Sequence, residues 1–233
     1  MKSYTFLLAL GFMAYSSVST GCDVNDQRAK NWAMRLNSSA SEESIQEACN
    51  LIDDVDALVI QAQNTISKIA IGTVSYKDKI GNDGLIEKAI QSSFLHGGVM
   101  MQVYHSYARK GMPPDNIRIR TYLQGLADLT EKGIYGTVSL VYDQESMKLM
   151  RITQLDNSGD SFEVEIQAFQ EFTACKTADR NYCYEDVTDK RFIVSVTGKT
   201  SSEPKLKISR ITAIDTWAAD YFKRNRNNLM GGE

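Results

Sequence analysis

Two histidines and four cysteines are the side chains of this 233-residue chain best suited to covalent or metal chemistry. His96 and His105 stand nine positions apart in a stretch with helical spacing. At about 100° per residue, nine positions amount to two and a half turns, so on a continuous helix the two imidazoles face opposite sides. No HExxH and no paired-cysteine motif accompanies them, and no metal site is expected. A hydrolytic enzyme using His96 or His105 alone stays open as an alternative. No GxSxG elbow occurs, and the one SxxK match, Ser202-Glu203-Pro204-Lys205, lies in a turn-like stretch without companion motifs. Neither GxxxxGK[ST] nor GxGxxG is present, so no cofactor is expected. Asp53-Asp54-Val55-Asp56 concentrates carboxylates, but successive helical positions diverge, and the run reads as a solvated face.

The cysteines turn on the export route. After Lys2, the run Tyr4 to Tyr15 is apolar throughout, then gives way to Ser16, Ser17, Val18, Ser19, Thr20 and Gly21. Twelve residues are too few to span a bilayer, so residues 1–21 read as a signal peptide. Ser17-Val18-Ser19 fits ordinary cleavage, which releases a secreted or periplasmic soluble protein. Thr20-Gly21-Cys22 instead resembles the end of a bacterial lipoprotein signal, with Ser19 where leucine is usual. That resemblance implies that Cys22 is lipidated and that the protein sits on the periplasmic face of a bacterial membrane, touching it only through the anchor. Asp23 resembles the signal that retains such lipoproteins at the inner membrane. Cys175 and Cys183 flank the polar segment KTADRNY between two strand-like runs, where a disulfide would clamp a hairpin in an oxidising compartment. Cys49 is then expected to be a reduced thiol in the core.

Removal of residues 1–21 leaves 233 − 21 = 212 residues, enough for a core without staples. A net charge of −3 offers nucleic acid no global attraction, and none is expected as a partner. Charge is nonetheless segregated. Residues 41–60 carry Glu42, Glu43, Glu47, Asp53, Asp54 and Asp56 with no cation, while residues 189–210 carry Lys190, Arg191, Lys199, Lys205, Lys207 and Arg210 against Asp189 and Glu203. The two segments either dock copies or a partner, or are solvated faces that meet within one molecule. Trp217 and Tyr221, four apart, would share a face of a C-terminal helix that either binds a partner or caps the sheet.

These side chains must be held by elements visible as periodicities. Residues 22–40 read as a tether or short helix. Ile45, Ala48, Ile52, Val55, Val59, Ala62, Ile66 and Ile69 alternate spacings of three and four, which predicts one helix from Ser41 to about Ile71. Its stripe either packs on a sheet or forms a seam between copies. Leu85–Lys110 reads as a second helix divided at Gly97-Gly98, and Ile119–Lys132 as a third, completing a helical region over 41–132. From 133 the period becomes two: Tyr135–Tyr142, Met147–Leu155, Phe162–Phe172, Tyr182–Val187, Arg191–Thr197 and Leu206–Ile214 read as strands, closed by a C-terminal helix. Helices first and strands afterwards predict an α+β fold with an antiparallel sheet of five or six strands, 41–132 and 133–233 forming one domain. This order of elements is loosely similar to the ligand-pocket fold of nuclear-transport-factor-like domains, which some secretion-system subunits share. The resemblance is one of topology and implies no residue roles.

The expected function is a non-enzymatic cell-envelope protein, anchored or secreted, that binds another protein as a subunit of an envelope assembly, with a homo-oligomer open. Glu42, Glu43, Asp53, Asp54, Lys205, Lys207, Arg210, Trp217 and Tyr221 are the candidate partner-binding residues. Besides the hydrolase, an inhibitor or immunity protein against an envelope-acting toxin remains a further alternative.

Overall fold

The computed structural model describes residues 27–71, 74–104, 112–132, 135–177, 182–199 and 204–230. Helices come first: α1 (Gln27–Asn37), α2 (Glu42–Ala70), α3 (Tyr76–Ile80), α4 (Leu85–Ser93) and, after two short strands, α5 (Ile119–Glu131). Ser41 starts α2 by accepting a hydrogen bond from the Ser44 backbone N–H at 3.2 Å, and Glu42 and Glu43 face the positive end of the helix dipole. The expected stripe of Ile45, Ile52, Val55, Val59, Ile66 and Ile69 is buried, whereas Glu42, Glu43, Asp53 and Asp54 are exposed. Leu51 and Leu58 are buried too, so the apolar arc is wider than a coiled-coil seam. It is covered within one chain, by α1, α4, α5 and the sheet. Each large side chain removed from water there stabilises the fold by about 1.5–3 kcal/mol.

Leu85–Lys110 is not one helix. Helix α4 stops at Ser93, His96 lies in a turn, and Met100–Val103 is strand β1, which pairs antiparallel with β2 (Asp115–Arg118). Gly97 explains the break: a Cβ there would stand 3.0 Å from the Arg120 guanidinium nitrogen, whose side chain pairs with Glu87 of α4. A side chain at this point would have to displace the arginine that joins α5 to α4.

Strands β3 (Tyr135–Gln154), β4 (Ser161–Lys176), β5 (Cys183–Thr197) and β6 (Lys205–Ala218) complete a six-stranded sheet of order β2-β1-β6-β5-β4-β3. All pairs are antiparallel except β1 with β6. The number of strands matches expectation, but their division differs. Two expected pairs fuse into the single strands β3 and β5: β3 passes its polar stretch as an irregularity between the pairings of Asp143 and Lys148, and β5 is paired with β4 straight through Thr188-Asp189-Lys190. Trp217 belongs to the end of β6, not to the closing helix α6 (Ala219–Leu229), so it shares no helical face with Tyr221.

One core lies between the helices and the inner face of the sheet, and includes Ala29, Ala33 and Leu36 of α1. A smaller one, Phe169, Val187, Trp217, Ala219 and Phe222, lies under α6 on the outer face. Lys148 Nζ reaches the Met230 carbonyl at 3.2 Å and Arg226 pairs with Asp143, tying the end of α6 to the irregular stretch of β3.

Cys175 and Cys183 are register partners on β4 and β5 and form the expected disulfide, with Cα atoms 4.0 Å apart. Cys49 is not the reduced thiol expected of it: buried on α2, it too is disulfide-bonded. A buried apolar setting explains a cysteine's burial equally well in either redox state, so the pattern of residues alone could not choose. The expected signal segment, Cys22 and His105 lie outside the described residues. Among the described residues, no helix is long and apolar enough to cross a membrane.

Candidate functional site

On β5 the side chains alternate without interruption, since its pairing with β4 shows no register shift. Phe192, Val194 and Val196 enter the core beneath the helices, whereas Val187 joins the outer core. Continuing the even series backwards places Lys190, Thr188 and Asp186 on the inner face, at the end where the apolar core stops. All three are buried, Lys190 at 2% exposure. Its register partner is Ala213, whose small side chain lets the lysine stem cross β6 so that Nζ donates to the Gln102 carbonyl of β1 at 2.8 Å.

Polar groups from five other elements converge here. Thr188 Oγ1 donates to Thr216 Oγ1 of β6 at 3.1 Å. The Tyr184 hydroxyl donates to Asp186 Oδ2 at 2.6 Å. Gln170 of β4 bonds the Tyr122 hydroxyl of α5, and its Oε1 lies 3.4 Å from the Tyr142 hydroxyl of β3. Phe192 meets the Tyr142 ring edge-on, centroids 5.8 Å apart, and forms the apolar floor.

Burial dominates the electrostatics. It pulls the Lys190 ammonium down to about 7, against the opposing pull of the Asp186 charge. It pushes the Asp186 carboxyl up, with the Tyr184 bond and Lys190 working the other way. Tyr122 and Tyr142 are raised by burial beyond any range in which they ionise, so both are hydroxyl donors. The result is an amine that samples both protonation states near neutrality, beside a carboxyl and two phenols. Such a set can hold an anionic or carbonyl oxygen, or pass a proton.

The outer face repeats the theme in closed form: Asp189 accepts from Gln167 Nε2 at 2.9 Å and from Arg191 Nε at 3.2 Å, while Glu165 binds Arg151 at 3.2 Å. On α2, Asp56 is desolvated and beside Asp53, which raises its carboxyl to about 6, and Gln63, one heptad on and 1% exposed, has no protein partner for its amide.

The candidate partner-binding residues are scattered. Glu42, Glu43, Asp53 and Asp54 line the solvent side of α2, and Lys205, Arg210 and Tyr221 are exposed. Lys207 instead caps α4, donating to the Gln91 and Ser92 carbonyls at 2.6 and 2.7 Å, and Trp217 is buried against Phe169 and Phe222. Lys199 binds the Leu36 carbonyl and Asn37 within the field of Glu47, so the acidic and basic segments partly meet inside the molecule. His96 is exposed and accepts the Gly98 N–H at 3.0 Å. Among the described residues no group of three or more His, Cys, Asp or Glu is placed to hold a metal. Sequence reasoning missed Asp186, Thr188, Gln170, Thr216, Tyr122 and Tyr142 and took Lys190 for part of a surface run. The period-two series from Asp186 through Val196 is the signal that contains them.

No family model and no curated protein matches this chain. Among solved structures it is similar to the Kfla4162 protein of Kribbella flavida (13% identity, 74% of this chain and 99% of that one, TM-score 0.36). It is similar also to a ketosteroid isomerase-like protein of Erwinia carotovora atroseptica (11%, 71% and 93%, TM-score 0.36). A hexachlorocyclohexane dehydrochlorinase follows (10%, 69% and 88%, TM-score 0.29). Likenesses this distant decide neither family nor activity.

Proposed function

We propose that this is an exported cell-envelope protein that binds a small molecule bearing an anionic or carbonyl oxygen at the cluster around Lys190. The observation that carries the reading is the burial of an amine and a carboxyl, Lys190 and Asp186, among phenols, amide and hydroxyls at the edge of an apolar core. A buried amine and carboxyl are seldom the most stable filling of such a place, and apolar residues of like volume usually serve stability as well or better. Their presence is accounted for by a ligand that the ammonium and phenols orient and Phe192 flanks. Export rests on the signal-like residues 1–21 and on disulfide-bonded cysteines, which suit an oxidising compartment.

The test is a thermal-shift and calorimetric titration with two probe series, straight-chain monocarboxylates and alkyl ketones of increasing length, on wild type, Lys190→Met and Lys190→Arg. Saturable stabilisation that Lys190→Met abolishes supports the site. A ligand bound equally by Lys190→Met, or no shift with either series, removes it.

A second reading, docking of a protein with a basic surface, is favoured by the exposed carboxylates of Glu42, Glu43, Asp53 and Asp54 on α2. It would appear as salt-sensitive capture of one stoichiometric envelope protein that Glu42→Lys with Glu43→Lys eliminates.

A further inference from the structure

We infer that the Gln63 amide is a second pole of the Lys190 site, and that the ligand carries a carboxamide at the end remote from its anionic or carbonyl oxygen. The inference rests on the Lys190 reading and deepens it by naming the ligand's other end. Gln63 is 1% exposed, and neither its Nε2 nor its Oε1 has a hydrogen-bond partner among the described residues. No other buried side chain among the described residues is left in this state. Burying a donor and an acceptor unmet costs stability, and methionine would fill the same space without that cost.

Helix α2 directs the amide inward. Gln63 stands four residues after Val59 and three before Ile66, both fully buried in the inner core, so the three share one face of the helix. Asn64 Oδ1, one position on, accepts from Gln144 Nε2 of β3 at 3.5 Å, which sets this turn of α2 over β3. Two residues earlier on that strand comes Tyr142, buried, with its hydroxyl toward Gln170 and its ring against Phe192. Gln63 therefore overlies the Tyr142 side of the cluster, while Lys190 stands on β5, beyond β4. Two strand spacings amount to about 10 Å.

That separation decides the kind of ligand. One carboxylate or ketone cannot reach both poles, whereas the two ends of an extended molecule can, with an apolar stretch between them over Phe192. A primary amide with both atoms unmet offers a donor and an acceptor side by side. The group that matches it point for point is another amide, whose N–H donates to Oε1 while its carbonyl accepts from Nε2. The match holds for either orientation of the Gln63 amide. A hydroxyl lacks this paired geometry, and a methyl group meets neither atom.

Calorimetric titration compares three probes of matched length, an alkanoate, an ω-hydroxyalkanoate and the monoamide of a dicarboxylate, on wild type, Gln63→Met and Lys190→Met. Thermal unfolding without ligand supplies a second measurement. Wild type should bind the monoamide at least about tenfold more tightly than the alkanoate, Gln63→Met should bind the two equally, and Lys190→Met should bind neither. Without ligand, Gln63→Met should melt above wild type, because the unmet amide is gone. If wild type binds all three probes equally and still needs Lys190, the Lys190 site stands and the role of Gln63 is overturned. If no probe binds, both fall together. A Gln63→Met that melts below wild type shows the amide to be satisfied within the unliganded protein, by a structural water, and overturns the inference as well.

Discussion

Replacing Lys190 by methionine should change how stability depends on pH, and the direction follows from burial. The folded amine loses its proton near 7, from an ordinary value of 10.5. Between those two values the unfolded chain binds a proton that the folded chain does not, so stability rises with pH through this window. Below about 7 both states are charged, the slope vanishes, and the full cost of burying the ammonium is present. A displacement of about three and a half units at roughly 1.4 kcal/mol each sets that cost on the order of 5 kcal/mol. Lys190 is 2% exposed, so solvent screening reduces it little. Methionine removes the charge and keeps the stem, at the loss of one hydrogen bond to the Gln102 carbonyl, worth about 1 kcal/mol. The assay is urea unfolding of wild type and Lys190→Met at intervals from about pH 7 to pH 10, read as the difference between the two. Other lysines and tyrosines cancel in that difference. Cys49, Cys175 and Cys183 are disulfide-bonded and do not titrate. The Asp186 carboxyl, pushed up by burial, moves further up in the variant because it loses the attraction of the Lys190 charge. The variant should be the more stable near pH 7, and wild type should gain on it by about 1 kcal/mol per pH unit. Parallel stability curves would refute the placement of a desolvated amine at this site.

Two further outcomes follow from α2. The Asp56 carboxyl is raised to about 6, so the folded state holds a proton that the unfolded state has lost between roughly pH 4 and 6, and stability falls as pH rises through that range. Asp56→Asn should leave stability at pH 4 unchanged and raise it at pH 7 by about 2 kcal/mol, a value discounted for partial exposure, as measured by denaturant midpoints. Ile52→Asp should unfold the monomer, seen by circular dichroism and sedimentation together, because Ile52 is 3% exposed and an unpaired buried carboxylate adds to the lost burial. A folded monomer released from an oligomer would show instead that the stripe is a seam between copies.

How far the sequence was legible depended on how many residues voted for each element. Helix α2 repeats its spacing over twenty-nine residues and is capped by Ser41, so its limits, buried face and exposed acids could all be read. Strands β1 and β2 have four residues each, too few to outvote the apolar run that made Leu85–Lys110 look helical, and β1 joins the rest of the sheet only through the distant β6. Cys175 and Cys183 could be paired because their separation by a polar hairpin is local. Cys49 could not, since burial does not report a thiol's oxidation state. The Lys190 cluster escaped for a different reason. Thr188-Asp189-Lys190 resembles a turn by composition, and what marks it as strand is the alternation on either side, Asp186 and Val187 before it and Phe192 to Val196 after it. Single-sequence reading assigns polar residues to water. Only packing shows that the even ones lie under Tyr122 and Tyr142.

The parallel pairing of β1 with β6 sets a timetable. Met101 finds Ile211 only after more than a hundred intervening residues have been placed, and β2 joins the sheet only through β1. Closing so long a loop before any contact rewards it is slow, and proteins dominated by such pairings fold slowly. Until β6 arrives, the apolar arc of α2 has helices beside it but an incomplete sheet beneath it, so a chain emerging N-terminus first carries sticky surface for most of its synthesis. The last element to close, α6, then fastens Arg226 onto Asp143 across the outer face. A chain cut short near residue 204 would therefore lose far more than its final strand: it would keep α1 to α5 and β3 to β5, but β1 and β2 would have no strand through which to join the sheet.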